Sequence, residues 1–419
     1  MIRHSAVLLL ATALAGSAFP ARGAAQTVDP AGAASAEGPY AALVPDTVIF
    51  PSGGPRIVLL TAPGEGVAAL RLAVPLREGP AEAGAGWLLK ELALERMQTL
   101  ARPVGAEVAA IRTPWGVAYS VVGAAADFEF LAYLLRQAVE APDVEAPAFI
   151  ETRLRLREAA ARGVETPSGR VAAELRAQAA PGIPPALGSP GSLQAMDGAL
   201  VRQVWLRSHQ ASGMTLVVSA PVVPEVVLAA TRGMGAPEES AMGPLDALAP
   251  RAGRGATATQ ALRTWYGEAW QAMPTEDPHG PVVALLASEA LRAQAVGFEV
   301  SLELWELPDR WVLAVVGGAY GRDVAPMRRA VSGTLTQVRD RLTAAEVRRA
   351  VSRVQGDLLL RSRTPAGLVS WVGRAMEAGG DPRAAADGLL SLSRVDEAST
   401  RAFVESLLTR GPVRAEVRP

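Results

Sequence analysis

The chain has 419 residues, no cysteine, and a formal net charge of −1 from 41 basic and 42 acidic side chains. Without cysteine it has no disulfide, no thiolate nucleophile or ligand and no cysteine to carry a lipid, so its stability rests on buried apolar surface. Near-neutral charge without a basic cluster argues against a nucleic-acid partner, and Lys90 is the one lysine among the basic residues.

At the N-terminus, Arg3 and His4 precede an apolar run from Ala6 to Phe19, and the small residues Gly23, Ala24 and Ala25 come after it. This layout predicts a cleaved signal peptide over 1–25 and an exported, periplasmic protein. No later stretch reaches the ~18 consecutive apolar residues of a membrane-spanning helix. Residues 26–42, rich in alanine and glycine, read as a disordered lead-in.

Residues 26–419 exceed the size one hydrophobic core usually serves, so two domains are expected. Strand patterns open each half, at Val67–Pro75 and Leu262–Trp270. Helical patterns come next at Gly84–Ala101 and Val282–Ala293. Two alternating strands succeed them, marked by a repeat: Val104-Gly105-Ala106-Glu107-Val108 recurs as Val296-Gly297-Phe298-Glu299-Val300, and Val121-Val122-Gly123 as Val315-Val316-Gly317. Helices are then predicted at Phe128–Glu140 and Val324–Arg341, and at Pro147–Arg162 and Ala344–Leu360. Short turns between the strands favour antiparallel pairing. The expected class is α+β, with two homologous domains, 43–230 and 259–419, each a mainly antiparallel sheet with helices on one face. Glycines and prolines at 231–258 mark the linker between them. Arg153, Arg155 and Arg157 read as a solvated helix face.

Laid out this way, residues 43–419 resemble the insulinase or pitrilysin-like zinc metallopeptidase family, in particular its short two-domain members that work as paired subunits. The resemblance rests on Pro75-Leu76-Arg77-Glu78-Gly79 with Gly84-Ala85-Gly86. It continues through Leu187-Gly188-Ser189-Pro190-Gly191-Ser192-Leu193, Val201–His209 and Met214-Thr215-Leu216-Val217-Val218. It implies a clamshell half-chamber. Active members carry His-x-x-Glu-His on the helix after the glycine segment, with a downstream glutamate as third zinc ligand. The two histidines bind the metal from one helix face, and the first glutamate is the base for the bound water. Here the matching positions read Trp87-Leu88-Leu89-Lys90-Glu91, and Glu158 falls near the third-ligand position. The helix also reads as structural, with Leu88, Leu89 and Leu92 in an apolar stripe and Lys90, Glu91 and Glu95 facing water. Active pairs further use an arginine and a tyrosine of the second domain. In the equivalent stretch, Leu291–Ser301, Ala295 and Glu299 stand near those places and Arg292 lies close by.

No other chemistry is complete. His209 and His279 lack metal-ligand spacing and read as surface residues, and no nucleophile elbow, phosphate loop or dinucleotide fingerprint occurs. The expectation is a non-catalytic subunit without cofactor or metal. It would pair with an active peptidase of the same family, close a chamber around peptides, and hinge at the linker. Trp87 should line the face between the halves, and an exposed strand edge should grip the peptide. A stand-alone envelope binding or scaffold protein is the alternative, ahead of a peptidase with a relocated site.

Overall fold

Residues 26–28, 43–60, 66–185, 187–236, 263–272, 277–295, 297–320 and 324–418 are described by the computed structural model. The expected signal peptide and the linker from residue 237 to 258 lie outside them. Strands β1 (Gln26–Val28), β2 (Thr47–Phe50), β3 (Arg56–Leu60) and β4 (Val67–Pro75) lead into helix α1 (Ala85–Ala101). Then come β5 (Glu107–Arg112), β6 (Gly116–Ala124), α2 (Phe128–Val139), α3 (Pro147–Glu165), α4 (Pro167–Ala179), α5 (Pro190–Ala195) and α6 (Gly198–Ser208). The first half closes with β7 (Thr215–Ser219) and α7 (Pro224–Ala230).

The second half repeats the plan with β8 (Arg263–Ala272), α8 (His279–Arg292), β9 (Glu299–Glu306), β10 (Trp311–Tyr320) and α9 (Ala325–Arg341). It ends with α10 (Ala344–Arg361), α11 (Pro365–Gly379), α12 (Ala384–Leu392), α13 (Glu397–Arg410) and β11 (Val413–Val417). The strands and helices expected from the sequence periods are present, and α8 starts earlier than expected, at His279 rather than Val282. No helix among the described residues is long and apolar enough to cross a membrane.

The strands form a seven-stranded sheet, β1-β2-β3-β7-β4-β6-β5, and a four-stranded sheet, β11-β8-β10-β9. Strands β7-β4-β6-β5 are antiparallel and have the same order and connections as β11-β8-β10-β9. Among the described strands, the one parallel pairing joins β3 to β7. Both repeated tags fall on equivalent adjacent strands, at the starts of β5 and β9 and along β6 and β10. Their registers differ: Glu107 lies opposite Val122, but Glu299 lies opposite Gly318, two residues beyond Val316 of the tag. A shift of two keeps every side chain on its face. Gly123 therefore still lies under α2, where a Cβ would come 2.8 Å from Leu131, and Gly317 under α9, 2.8 Å from Met327.

Each sheet carries its own half's helices on one face. Leu70, Leu72, Tyr119 and Val121 pack with Met97 of α1 and Leu131 of α2, while Leu313 and Val315 pack with Met327 and Val331 of α9. The expectation of helices on one face only is corrected by what covers the other. Helix α11 of the second half lies on β4, β6 and β7, and α4 of the first half lies on β8, β10 and β11. Val171 and Leu175 of α4 share a core with Val312, Ala314 and Val316. The exchange has a simple cause: both faces of these central strands are apolar, and an uncovered one would leave that surface in water.

Two boundaries differ from expectation. Gln26–Val28, in the expected disordered lead-in, pair with β2. The glycine-rich stretch begins inside the first unit, because Met234 and Ala236 are buried and the Ala236 N–H donates to the His209 carbonyl at 2.7 Å.

Candidate functional site

The approach to α1 is pinned by two buried carboxylates. Glu82 is fully buried and takes both terminal nitrogens of Arg207 on α6, at 2.8 and 2.7 Å. Its Oε2 also accepts the Gly79 N–H at 3.0 Å. Glu78 accepts the Gly86 N–H at 2.6 Å and pairs with Arg112 at the end of β5 at 3.0 Å. Burial raises the Glu78 carboxyl above its ordinary range, with Arg112 and the Gly86 N–H pulling the other way. The Ser192 hydroxyl donates to the Ala83 carbonyl at 2.9 Å, so the two glycine- and serine-rich segments that carry the family resemblance touch.

Helix α1 packs against β5, α2, α3 and α6. Leu88 and Leu89 are buried and Glu95 is exposed, in line with the helix's own pattern. Lys90 does not face water, however: it is 6% exposed. The reason is tertiary, since β5, α2, α3 and α6 together cover more of α1 than its own apolar stripe. The Lys90 ammonium sits 2.7 Å from Glu91 Oε1 and 3.9 Å from the centroid of the Trp87 ring. Arg155 of α3 approaches Glu91 Oε2 at 3.9 Å. Glu158 points elsewhere, its exposed carboxylate lying 3.8 Å from Arg162 on its own helix. Trp87, Lys90, Glu91 and Arg155 thus form one contact chain across the interface of α1 and α3.

These residues do not fit a zinc ion. The indole of Trp87 offers a hydrogen-bond donor and no ligand atom, and its Nε1 is buried without an acceptor among the described residues. Lys90 places a fixed cation beside the one carboxylate, which a second cation would then have to displace. Among the described residues no three His, Asp or Glu side chains converge into a metal-binding group. Arg155, a solvated charge by sequence pattern, is exposed and yet spans to α1. The sequence signal for this chain of contacts is Lys90, the only lysine in an arginine-rich protein.

In the second unit Arg292 is exposed at the end of α8. Glu299 pairs at 2.5 Å with Arg263, whose guanidinium lies 3.6 Å from the centroid of the Tyr320 ring. An arginine and a tyrosine do meet here, but at the ends of β8 and β10. They are brought opposite each other by strand register, and no short motif announces them.

Neither histidine is a free surface residue. His209 is 1% exposed and shares a 2.8 Å hydrogen bond with the Ser208 hydroxyl through Nδ1; burial lowers its pKa to about 3. Its ring stacks on Trp205, and the start of the glycine-rich stretch docks on the same turn, where the Ala236 N–H donates to the His209 carbonyl. His279 is half-buried, stacked on Phe403 and 2.6 Å from Asp277.

No family model matches the sequence, and no curated protein matches it either. Solved structures do. A protease from Helicobacter pylori superposes with a TM-score of 0.75 at 11% identity, over 90% of this chain and 100% of its own. The inactive domain of an M16 peptidase from Pseudomonas fluorescens gives 0.71 at 13% identity, over 88% and 96%. The chain has the M16 peptidase fold. A chain of complex III2 from Candida albicans shares that fold, with a TM-score of 0.66 at 12% identity over 87% of this chain and 94% of its own. Within the M16 fold, α1 with Trp87, Lys90 and Glu91 is the helix that the sequence resemblance matches to the metal-binding helix.

Proposed function

We propose that this chain is a non-catalytic M16-fold subunit, exported to the periplasm, that pairs with an active zinc peptidase and helps enclose peptide substrates. One observation carries the reading: the lysine on the metal-motif helix is buried against Glu91 and Trp87. A proton acceptor is needed where this ammonium stands, and a closed ion pair gives the helix a structural role instead. The likeness to an inactive M16 domain supports the reading at the level of fold. In this proposal residues 43–236 and 259–419 are the two domains, 237–258 is the linker between them, and residues 1–25 are removed on export. A half-chamber grips peptides only when a second half covers it.

The test has two parts. The full chain, purified alone, is expected to hold substoichiometric zinc and to leave an unstructured peptide intact. Purified from its native host, it is expected to bring along an M16 peptidase with zinc, and peptide cleavage by that pair should drop when this chain is removed. One tightly bound zinc per chain, or cleavage by the chain alone, overturns the proposal. Recovery of the chain without any peptidase also overturns it and favours the stand-alone scaffold.

A further inference from the structure

Away from α1, the exchanged helix α4 leaves a cavity of about 220 Å³ between its first turns and the second sheet. One wall is Ser168 and Ala172 of α4; the other is Ser301, Glu303 and Trp305 of β9; Ala314 of β10 lies at the floor. The space exists because the residues of α4 and the floor are small. Pockets for whole small molecules run to roughly 300–1,000 Å³, so this one suits a single long side chain.

Its chemistry is acidic on one side. Strand β9 carries Glu299, Glu303 and Glu306 and no basic residue. Glu299 pairs with Arg263 and Glu306 with Arg374. Glu303, beside the cavity, accepts the Trp305 indole N–H at 2.8 Å and has no salt bridge among the described residues. Arg176 lies over the Trp305 ring, 5.8 Å from its centroid, and is near enough to feel the Glu303 charge, but it makes no salt bridge with that carboxylate. Strand β9 is also the last strand of its sheet, so one edge has no partner among the described residues.

We propose that this cavity binds a lysine or arginine side chain of an extended peptide lying along β9. The aliphatic stem would cover Ala172 and Ala314, and the charged head would meet Glu303 and the hydroxyls of Ser301 and Ser168. Backbone pairing to the free edge supplies affinity, and the pocket supplies selection. The inference rests on the peptide-enclosing reading above and names the class of peptide.

The probe is a fluorescently labelled, unstructured peptide of alternating valine and lysine, titrated into the full chain by polarisation. Its partner has glutamate at every lysine. The lysine peptide should bind, more weakly at higher salt, and the glutamate peptide should not. Glu303→Gln should weaken binding about tenfold or more, as removal of a charged hydrogen-bond partner does. Ser168→Trp, which fills the cavity from the first turn of α4, should abolish it. Equal binding of both peptides, or wild-type affinity in both variants, overturns the proposal. If melting shows one variant misfolded, the other decides. A chain that recruits its peptidase partner but fails this test loses only the pocket. A chain that binds the peptide but has no partner loses only the subunit reading.

Discussion

Gly373 on α11 leaves the space that the side chain of Arg71 on β4 fills. A Cβ at Gly373 would lie 2.6 Å from Arg71 Cδ and 2.7 Å from Nε. Arg71 is 1% exposed and pairs with Glu377, one turn along the same helix, at 2.5 Å. Under the exchanged helix that covers the second unit the sizes are reversed. Gly267 of β8 lies under Leu175 of α4, 2.7 Å from where its Cβ would be. Both points lie on the strand second in order of its unit's four: Arg71 sits opposite Val217 and Ser120, and Gly267 opposite Ala415 and Val316. A large strand residue under a helical glycine in one half becomes a strand glycine under a large helical residue in the other, which holds packing density near constant.

Gly373→Ala should therefore cost about 1–3 kcal/mol in urea denaturation, the range for overpacking a filled core. Gly333→Ala on α9, where nothing lies within 4 Å of the new methyl, should be neutral or stabilising by up to about 1 kcal/mol. Glu377→Gln should cost about 3–5 kcal/mol, because it leaves the Arg71 charge buried and uncompensated. Equal effects at 373 and 333 would show that Arg71 has room the structure denies it.

Two buried groups set opposite pH slopes. His209 has its pKa lowered by burial from 6.5 to about 3. Between those values the unfolded chain holds a proton that the folded chain refuses, so stability falls as pH drops. Glu306 has its pKa raised from 4.5 to about 7, first by burial, with Arg374 opposing and Glu377 adding to the rise. There the folded chain holds the extra proton, so stability falls as pH rises from 4.5 toward 7. Each slope is about 1.4 kcal/mol per pH unit at its steepest. Denaturation across this range should show the acid-side loss reduced in His209→Asn and the loss toward neutrality reduced in Glu306→Gln.

Helices α4 and α11 begin with a repeat that comparison of the two halves also reveals: Thr166-Pro167-Ser168-Gly169 and Thr364-Pro365-Ala366-Gly367. Each threonine hydroxyl accepts the glycine N–H, at 3.2 and 3.1 Å. A Cβ at either glycine would fall within 1.8 Å of a backbone carbonyl oxygen, that of Gly163 or Arg361. Thr166→Ala and Thr364→Ala should each cost about 0.5–2 kcal/mol, and alanine at Gly169 or Gly367 more than either. Because each helix seals the other unit's sheet, every one of these variants should unfold in a single transition with an unchanged denaturant slope. A variant that melts one unit and spares the other would contradict that coupling.

Much of the architecture is legible in local pattern. The strand at Val67–Pro75 and the helices from Phe128, Pro147 and Ala344 start where the apolar periods start, because apolar burial is a local requirement repeated along the element. That Trp87 and Glu91 are not histidines is equally plain, since it depends on residue identity alone. The partners of those residues are not legible. Lys90 on an isolated helix belongs to the polar side, and only the packing of β5, α2, α3 and α6 around α1 leaves it buried beside Glu91 and Trp87.

By itself, then, the sequence determined the α+β class, the duplicated order of elements and the placing of Trp87, Lys90 and Glu91 together on one helix, all of which depend on residue type and short-range spacing. Tertiary structure alone decided that α4 and α11 exchange sheets, that Arg155 rather than Glu158 reaches Glu91, that His209 is buried, and that a cavity opens beside Glu303. Each of these joins residues far apart in the chain, and such contacts are selected by the shape and charge of surfaces that exist only once the elements have packed.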